Sequence, residues 1–314
     1  MALVAVFGAS GRQGLAQVRQ LIKAGHDVRA LSRAKDPFYG ETFEGEGTVD
    51  VMPADVADDQ SLKTAVSGVD AVFYTHPVRE AENRVEWVEK VGQACADAGV
   101  GRMVWNTSMW IPDRPGDPGR YGDNTVAINR LWRTGCPATV FGSVLFMDNL
   151  LTGWAFESIV RDGIYTYPHN PFLEANWISL DDVAKFMIAA IDRPDLEGAW
   201  VNIGGPDRLR GEDVAQILSE TLGRPITFKP RTPAEFGKAL ADAFGDTITD
   251  EEHAVIADRI EKFYVYNNFS ETKPFCVDMD PVMSRFPGLE LESMRDWAAR
   301  QDWTLTNKAR PPGG

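Results

Sequence analysis

Short apolar runs and helically spaced apolar positions alternate along the first half of the chain. The runs that predict strands are residues 3–7, 28–31, 49–53, 70–74, 102–106 and 138–141. Helical spacing lies between them, around residues 15–22, 61–66, 85–95 and 124–134. Because strand and helix alternate, this half is expected to form an α/β, doubly wound parallel sheet with helices on both faces.

Beyond residue 150 the pattern changes to turn-rich sequence with shorter elements. The expected elements are a helix from Asp181, a strand at 200–203, a helix at 211–222, a strand at 226–228 and acidic helices within 233–266. We therefore expect a nucleotide-binding domain at 1–150. A smaller C-terminal α/β lobe at 151–314 would form the substrate cleft, with segments near 177–205 packing back on the first domain.

The first strand runs directly into a glycine-rich turn, Gly8-Ala9-Ser10-Gly11-Arg12-Gln13-Gly14. Glycines at its first, fourth and seventh places let the backbone bend sharply and approach a pyrophosphate without side chains in the way. The following helix offers free N–H groups and the positive end of its dipole. A strand, glycine turn, helix and second strand in this order predict a dinucleotide site, and the alternative is a glycine turn without a ligand.

The end of the second strand bears on which dinucleotide is bound. A carboxylate there would accept the ribose 2′-hydroxyl of NAD, whereas an arginine suits a 2′-phosphate. Here Ser32, Arg33 and Lys35 follow Leu31. The guanidinium can form two parallel bonds to a phosphate, with the ammonium beside it. We expect NADP(H); the alternative is that both cations are solvated and Asp36 takes the ribose.

Composition narrows the partners and the compartment. The formal net charge of −14 argues against nucleic acid and anionic membrane surfaces. The N-terminal apolar run is too short for a signal peptide, and no apolar stretch is long enough to span a bilayer. Three cysteines without CxxC spacing suit a reducing cytoplasm. No two histidines sit at metal-ligand spacing, so no metal site is expected.

Three ordered segments carry a resemblance to a known family. They are the glycine turn, the segment Phe146-Met147-Asp148-Asn149-Leu150-Leu151, and the segment Trp177-Ile178-Ser179-Leu180-Asp181-Asp182-Val183-Ala184 followed by residues 201–206. Together they resemble the NmrA-like group of atypical short-chain dehydrogenases/reductases. The resemblance implies a Rossmann domain that binds NADP(H) and a small C-terminal lobe. The group includes NADPH-dependent reductases, notably of quinones and aromatic ethers, and proteins that only sense the cofactor's redox balance.

The resemblance also implies roles for individual residues. Those that would hold the pyrophosphate are Gly8, Ser10, Gly11, Arg12, Gln13 and Gly14. Arg33 would hold the 2′-phosphate, Asp55 and Val56 would flank the adenine, and Thr75 and His76 would lie on the ribose side.

The catalytic residues depart from the usual pattern. Short-chain reductases use a Tyr-x-x-x-Lys pair, but Tyr121 is followed four places later by Thr125, and Asn124 stands where related enzymes place a lysine. A neutral phenol can still donate a hydrogen bond to a carbonyl that receives hydride. Ser108, at the end of the fifth strand, could share the developing oxyanion. Tyr121 and Ser108 are the catalytic candidates; alternatively, Tyr121 is a surface aromatic in a loop.

Histidines and tryptophans supply weaker candidates. His76 is an acid–base candidate at a strand end but suits a structural role equally well. His169, between prolines, is expected to face solvent, and the alternative is that it lines the cleft. Four tryptophans suit either a flat apolar substrate or ordinary core packing. They are Trp105, Trp110, Trp154 and Trp177.

The leading interpretation is a cytoplasmic NADPH-dependent reductase acting on an apolar or aromatic carbonyl, quinone or imine-like acceptor. The partner is then a small-molecule substrate, with no nucleic acid and no membrane, and a homodimer is left open. The rival is a non-catalytic NADP(H) sensor that acts through a protein partner, which the absent lysine favours.

Overall fold

The computed structural model describes residues 1–33, 38, 41–113, 120–243, 245 and 248–305. Its strands are β1 (Leu3–Phe7), β2 (Asp27–Leu31), β3 (Val49–Met52), β4 (Ala71–Thr75), β5 (Arg102–Asn106), β6 (Ala138–Ser143), β7 (Leu145–Phe146), β8 (Ile164–Tyr165), β9 (Ala175–Ile178), β10 (Ala199–Ile203), β11 (Arg208–Leu209) and β12 (Thr227–Phe228).

Helices connect and cover these strands. They are α1 (Arg12–Lys23), α2 (Asp59–Val66), α3 (Arg84–Ala98), α4 (Arg120–Arg133), α5 (Gly153–Glu157), α6 (Leu180–Ala189), α7 (Gly211–Leu222), α8 (Pro233–Asp242), α9 (Asp250–Phe269), α10 (Met279–Arg285) and α11 (Met294–Ala299). Short 3-10 helices occupy Val78–Asn83, Met147–Leu151 and Pro194–Leu196, and a π-helical turn occupies Ser158–Asp162.

Seven parallel strands form the central sheet in the order β10-β6-β5-β4-β1-β2-β3. The chain winds outward from β1 in one direction and then from β4 in the other, which is the doubly wound order of a Rossmann fold. The expected fold class is therefore confirmed. Its switch point lies between β1 and β4, so ligands are expected above the carboxyl ends of these strands.

Apolar side chains on the two faces of the sheet form separate clusters, as expected for parallel strands covered on both sides. Helix α1 contributes Val18, Leu21 and Ile22 to one of them, as its spacing predicts. Gly25 adopts a φ of +79° directly after this helix. A left-handed residue there ends the helix at little steric cost only when it lacks a Cβ.

The second half of the chain contributes to the central sheet as well as to a lobe beside it. Strand β10 pairs in parallel with β6, with Ala199 opposite Thr139 and Ile203 opposite Ser143. Helices α8 and α9 pack against each other in the lobe. The expected strand at 200–203 is therefore an edge strand of the nucleotide-binding sheet.

Helix α4 begins earlier than its apolar spacing predicts. It starts at Arg120 rather than at Asn124, so Tyr121 lies in its first turn. The turn-rich residues 114–119 just before it lie outside the described part of the chain. The interpretation of Tyr121 as a surface loop residue was wrong: its side chain is buried because α9 covers it.

Asp182 joins α6 to the C-terminal segment through a fully buried carboxylate. It forms an ion pair of 2.7 Å with Lys185 and accepts the N–H of Glu292 at 2.9 Å. Burial raises the pKa of Asp182, and these two partners oppose that shift. The acidic pair within the segment 177–184 therefore includes a residue that anchors the fold.

Replacing Asp182 by alanine should lower the free energy of unfolding by about 2–4 kcal/mol, because the partly buried Glu292 N–H would lose its acceptor and the Lys185 ammonium would keep only the Glu290 carbonyl. Asp181→Ala is the matched control, since its ion pair with Arg300 is partly exposed and should contribute less than about 1 kcal/mol. Urea unfolding of both variants measures the difference. Equal losses would contradict the assignment.

Candidate functional site

The glycine turn folds tightly at the end of β1. Gly8 has a φ of +67° with no atom within 4 Å of where its Cβ would stand, so the turn is open there. The N–H of Gly11 donates to the Gly8 carbonyl at 2.9 Å. A Cβ on Gly14 would stand 2.1 Å from that same carbonyl oxygen. Only glycine at position 14 permits this approach of helix and strand.

Helix α1 starts at this turn without a side-chain cap. Gly11 is its N-cap residue and offers no side chain, and its first turn contains no acidic residue. Helix α2, by contrast, is capped by Asp58, which accepts the N–H of Ser61 at 2.6 Å. The N–H groups and positive dipole of α1 therefore suit an anion at the switch point, and the turn fits a pyrophosphate.

Ser32 and Arg33 extend this edge from the end of β2. Ser32 is buried and donates a hydrogen bond of 3.0 Å to the hydroxyl of Ser10. Arg33 is exposed, as a guanidinium that receives a ligand would be. Lys35 and the competing Asp36 lie outside the described residues.

The loop after β3 places Asp55 and Val56 at the same edge. Asp55 is exposed and accepts the N–H of Ala57 at 2.9 Å, whereas Val56 is buried. The backbone N–H of Asp55 donates to Ser61 Oγ at 3.0 Å. The Asp55 carboxylate is thus exposed to solvent, whereas the Val56 side chain packs into the core.

A network of polar side chains joins the ends of β5 and β6 to the first turn of α1. Asn106 donates to Gln13 Oε1 at 2.7 Å and accepts from Ser143 at 2.8 Å. Gln13 in turn donates to Ser108 Oγ at 2.9 Å. Sequence analysis gave roles to Gln13 and Ser108. The positions of Asn106 and Ser143 at the ends of two strands pointed to this edge of the sheet, but no role was assigned to either residue.

Ser108 has an unusual backbone conformation. Its φ is +59°, in the left-handed region that non-glycine residues rarely adopt. Its N–H donates to Asn106 Oδ1 at 3.2 Å, which helps to hold the turn. Strained residues of this kind cluster at active sites, where surrounding contacts hold them in place. Ser108 is therefore the stronger of the two catalytic candidates.

The side chain of Tyr121 is turned toward helix α9. Its ring contacts Trp110, two residues after Ser108, edge-on at 5.5 Å. Its hydroxyl donates to Asn267 Oδ1 at 2.9 Å. Burial raises the pKa of Tyr121, so the phenol is neutral at ordinary pH. Any donation to a substrate would require the bond to Asn267 to open.

A buried arginine lies beside the position where related enzymes place a lysine. Asn124 is fully buried and accepts from Arg84 Nη1 at 2.7 Å, and the same nitrogen donates to the Thr107 carbonyl at 3.4 Å. Arg84 thus brings a positive charge to the residue that precedes Ser108. Sequence analysis missed it because Arg84 comes from the helix after β4, which is adjacent only in the folded sheet.

Thr75 and His76 end β4 with their side chains engaged. Thr75 accepts from Gln17 at 3.1 Å. The two ring nitrogens of buried His76 face the Tyr74 hydroxyl at 2.9 Å and the Glu80 carbonyl at 2.6 Å. These contacts match the structural role that was left open for this histidine.

Arg12 and Asp148 connect the glycine turn to the segment after β7. Arg12 donates to the Asp148 carbonyl at 3.2 Å, and the Asp148 carboxylate accepts the N–H of Leu180 at 3.0 Å. Burial raises the pKa of Asp148 to about 6. This link therefore couples the glycine turn to the start of helix α6.

His169 was expected in solvent, and that expectation was wrong. It is 3% exposed and packs against Tyr167 with a ring separation of 4.4 Å. Burial lowers its pKa to about 3, so the imidazole is neutral near pH 7. The neighbouring prolines indicated a surface turn. In the structure, the aromatic rings of Tyr167, Trp177, Tyr264 and Phe275 cover the imidazole.

The four tryptophans do not form one group. Trp105 lies in the apolar cluster on the opposite face from Trp177, and both are fully buried. Trp110 and Trp154 are partly exposed, and Trp154 packs on Tyr167 and Phe236. Only these two could offer indole surface to a ligand.

Neither a metal-binding cluster nor a membrane-spanning helix is found in the described part of the chain. Among the residues that the structure describes, no three His, Cys, Asp or Glu side chains are grouped as metal ligands would be. Within the same ranges, no helix combines the length and the apolarity needed to cross a membrane.

Comparison with known proteins assigns the family. The chain belongs to the NmrA-like family, whose model matches residues 1–290. It is 27% identical over 255 residues to an NAD(P)H azoreductase of Xenophilus azovorans, covering 79% of this chain and 85% of the relative.

Solved structures share the fold. The triphenylmethane reductase of Citrobacter sp., in complex with NADP(H), matches with a TM-score of 0.70 at 17% identity, covering 95% of this chain and 99% of that one. NmrA, a negative transcriptional regulator, in complex with NAD, matches with a TM-score of 0.72 at 16% identity, covering 97% and 99%.

Gly14→Ala should destabilise the protein and weaken cofactor binding together, because the new methyl group forces the helix start away from β1. The expected loss is about 1–3 kcal/mol of unfolding free energy. Gly101→Ala is the control, since its Cβ would stand 3.2 Å from the Asp70 carbonyl oxygen, a tight contact that a shift of a few tenths of an ångström relieves. Urea unfolding and calorimetric titration with NADPH measure both effects. A Gly14→Ala protein that matches the control in both would contradict the packing argument.

Asp148→Asn should stabilise the protein at pH 7 by about 1–2 kcal/mol, because the amide keeps an acceptor for Leu180 without a charge. The folded-state pKa of about 6 exceeds the ordinary value of 3.8. The carboxyl therefore contributes most to stability below pH 4, and this contribution is lost as the pH rises through 6. Unfolding measured from pH 4 to 7 should show the advantage of the variant growing; a constant difference would argue against it.

Proposed function

We propose that this protein is an NADPH-dependent reductase that transfers hydride to an apolar or aromatic carbonyl, quinone or imine-like acceptor. The observation that carries the proposal is the meeting of two features at one sheet edge. The open glycine turn with its uncapped helix suits a dinucleotide, and the strained Ser108 is hydrogen-bonded to Gln13 of that same turn. The azoreductase relative supports a reductase.

The cofactor would be held by the residues around the switch point. Those proposed for the pyrophosphate are Gly8, Ser10, Gly11, Arg12, Gln13 and Gly14. Arg33, with Ser32 and Lys35 beside it, would take the 2′-phosphate as a forked guanidinium. Residues 55–56 would flank the adenine and residues 75–76 the ribose side.

The protein's part in the chemistry is orientation and hydrogen bonding. When bound, the nicotinamide supplies the hydride. Ser108 would donate a hydrogen bond to the oxygen or nitrogen that gains negative charge, and Gln13 would fix its hydroxyl. Arg84 donates to the carbonyl of Thr107, the residue before Ser108, and its positive charge would stabilise that developing negative charge. Tyr121 would serve as a second neutral donor on release from Asn267.

The acceptor class is proposed from aromatic side chains that are partly exposed. Trp110 follows Ser108 by two residues in the chain, and Phe146 and Trp154 are partly exposed as well. Indole and phenyl surfaces favour flat apolar ligands, because such ligands bury a large area for little conformational entropy.

The second candidate function is a non-catalytic NADP(H) sensor. It is favoured by the bond of the Tyr121 hydroxyl to Asn267, which removes the usual proton donor, and by the fold shared with the regulator NmrA. A chain with a formal net charge of −14 would then act on a protein and not on nucleic acid.

Arg33→Ala should weaken NADPH binding by roughly 10- to 100-fold and leave NADH binding nearly unchanged, because only the former carries a 2′-phosphate. Arg130→Ala is the control: this exposed arginine pairs with Glu89 on the outer helices. Calorimetric titration of each variant with both cofactors gives the ratio. An equal loss for the two cofactors would defeat the assignment.

Turnover separates the two candidate functions. Purified protein is mixed with NADPH and a panel of quinones, aldehydes, ketones, imines and azo dyes, and the absorbance of the reduced nicotinamide is followed. Ser108→Ala should lower kcat by about 100-fold while cofactor affinity stays. Ser284→Ala, an exposed helical serine, is the matched control. Tight NADPH binding without turnover on the whole panel would support the sensor instead.

A further inference from the structure

Four polar side chains at the carboxyl edge of the central sheet form one continuous line of hydrogen bonds. Ser143 Oγ lies 2.8 Å from Asn106 Oδ1, and Asn106 Nδ2 lies 2.7 Å from Gln13 Oε1. Gln13 Nε2 then lies 2.9 Å from Ser108 Oγ. Ser143 and Asn106 are fully buried, whereas Gln13 and Ser108 are half-buried. The line therefore starts in the core and ends at the strained serine.

A single backbone group fixes the orientation of the Asn106 amide. The nitrogen and oxygen of such an amide are similar in shape, so only the neighbouring groups decide which atom points where. The backbone N–H of Ser108 can only donate, and it donates to Asn106 Oδ1 at 3.2 Å. Turning the amide over would set two donors against each other. The nitrogen of Asn106 must therefore face Gln13.

The orientation of Asn106 in turn fixes that of Gln13. Because Asn106 presents a donor, the Gln13 atom opposite it must be the acceptor Oε1, and Nε2 is left to donate to Ser108 Oγ. The Ser108 proton could return to Gln13 Oε1 at 3.3 Å, but this contact is the longer one and Asn106 already donates to that oxygen. The hydroxyl thus accepts from the protein and keeps its proton for another acceptor.

We propose that Asn106 is a positioning residue that sets the direction of these hydrogen bonds, so that Ser108 donates its proton to the bound acceptor. The proposal rests on the proposed reductase function, in which Ser108 contacts the substrate. Asn106 is fully buried and acts through Gln13. Neither amide gains or loses a proton, because amide side chains do not titrate in water.

Replacing Asn106 by aspartate should reverse the direction in a pH-dependent way. A carboxylate only accepts, so Gln13 would turn its Nε2 toward the new side chain and its Oε1 toward Ser108. That oxygen would then take the Ser108 proton. A protonated carboxyl has one O–H donor and restores the original direction. Burial raises the pKa of the new carboxyl, which brings the change into a pH range where kinetics can be measured.

The kinetic test follows kcat of Asn106→Asp relative to the wild type at saturating NADPH and acceptor. At about pH 8 the ratio should be lower by about 10- to 100-fold, because Ser108 no longer donates to the developing charge. The ratio should rise again as the pH falls toward about 5, where the carboxyl gains its proton. A loss caused only by disturbed packing would not recover in this way.

Asn176→Asp is the matched control. Asn176 is also a buried strand residue that accepts a backbone N–H, from Val277 at 2.9 Å, and donates from its amide nitrogen, to the Gly205 carbonyl at 3.0 Å. It lies in β9, which belongs to a different sheet from β5. Its kcat ratio to the wild type should not change with pH. Circular dichroism establishes that both variants are folded.

Neutron diffraction from deuterated crystals of the wild-type protein tests the orientations without any turnover. The deuterons of Asn106 Nδ2 should point to Gln13 Oε1, and those of Gln13 Nε2 should point to Ser108 Oγ. If the wild type reduces no acceptor on the panel, the proposed reductase function fails, and the neutron map still decides the direction of the network.

Three results would overturn the proposal. The first is a neutron map in which Gln13 Oε1 faces Ser108 Oγ or Asn106 Nδ2 faces the Ser108 N–H. The second is an Asn106→Asp protein that keeps the wild-type kcat at about pH 8, where the carboxyl is ionised. The third is a loss of kcat in this variant that is the same at every pH.

Discussion

The approach of Gly14 to the Gly8 carbonyl is the constraint on which the rest of the site depends. It sets the start of α1 directly above the end of β1, where a Cβ would come within 2.1 Å of an oxygen. Because of this contact, Gln13 reaches across to Ser108 and Asn106, and Arg12 reaches the Asp148 carbonyl. One backbone contact thus positions both the anion-binding helix start and the polar network beside it.

The polar network of Gln13, Asn106, Ser108 and Ser143 exists because the sheet brings separate strand ends together. Side chains at the ends of parallel strands are too short to reach one another along the chain, but the sheet brings those ends to one edge. Asn106 uses its amide both to donate to Gln13 and to accept from Ser143, so its buried polar atoms are satisfied. Arg84 is likewise held by Asn124 and by the Thr107 carbonyl. A satisfied network is rigid, and a rigid edge can hold Ser108 in its left-handed conformation.

Much of the fold was predictable from local pattern. The strands β1, β5 and β6, the helix face of α1 and the helix stops at Gly25 and Gly99 follow from apolar spacing and from glycine's tolerance of positive φ. Predictions failed where long-range packing decides the outcome. His169 lies between prolines that indicate a turn, yet the rings of the C-terminal lobe bury it. Tyr121 lies in a helix that begins four residues earlier than its apolar spacing predicts.

The sequence by itself determined the doubly wound sheet, the glycine turn and the cationic end of β2, because each depends on residues that are neighbours in the chain. The tertiary structure alone decided that Tyr121 bonds to Asn267 and that Arg84 lies beside Asn124. These contacts join residues 146 and 40 positions apart, respectively. No local pattern records them, because they exist only once helices have packed on a completed sheet.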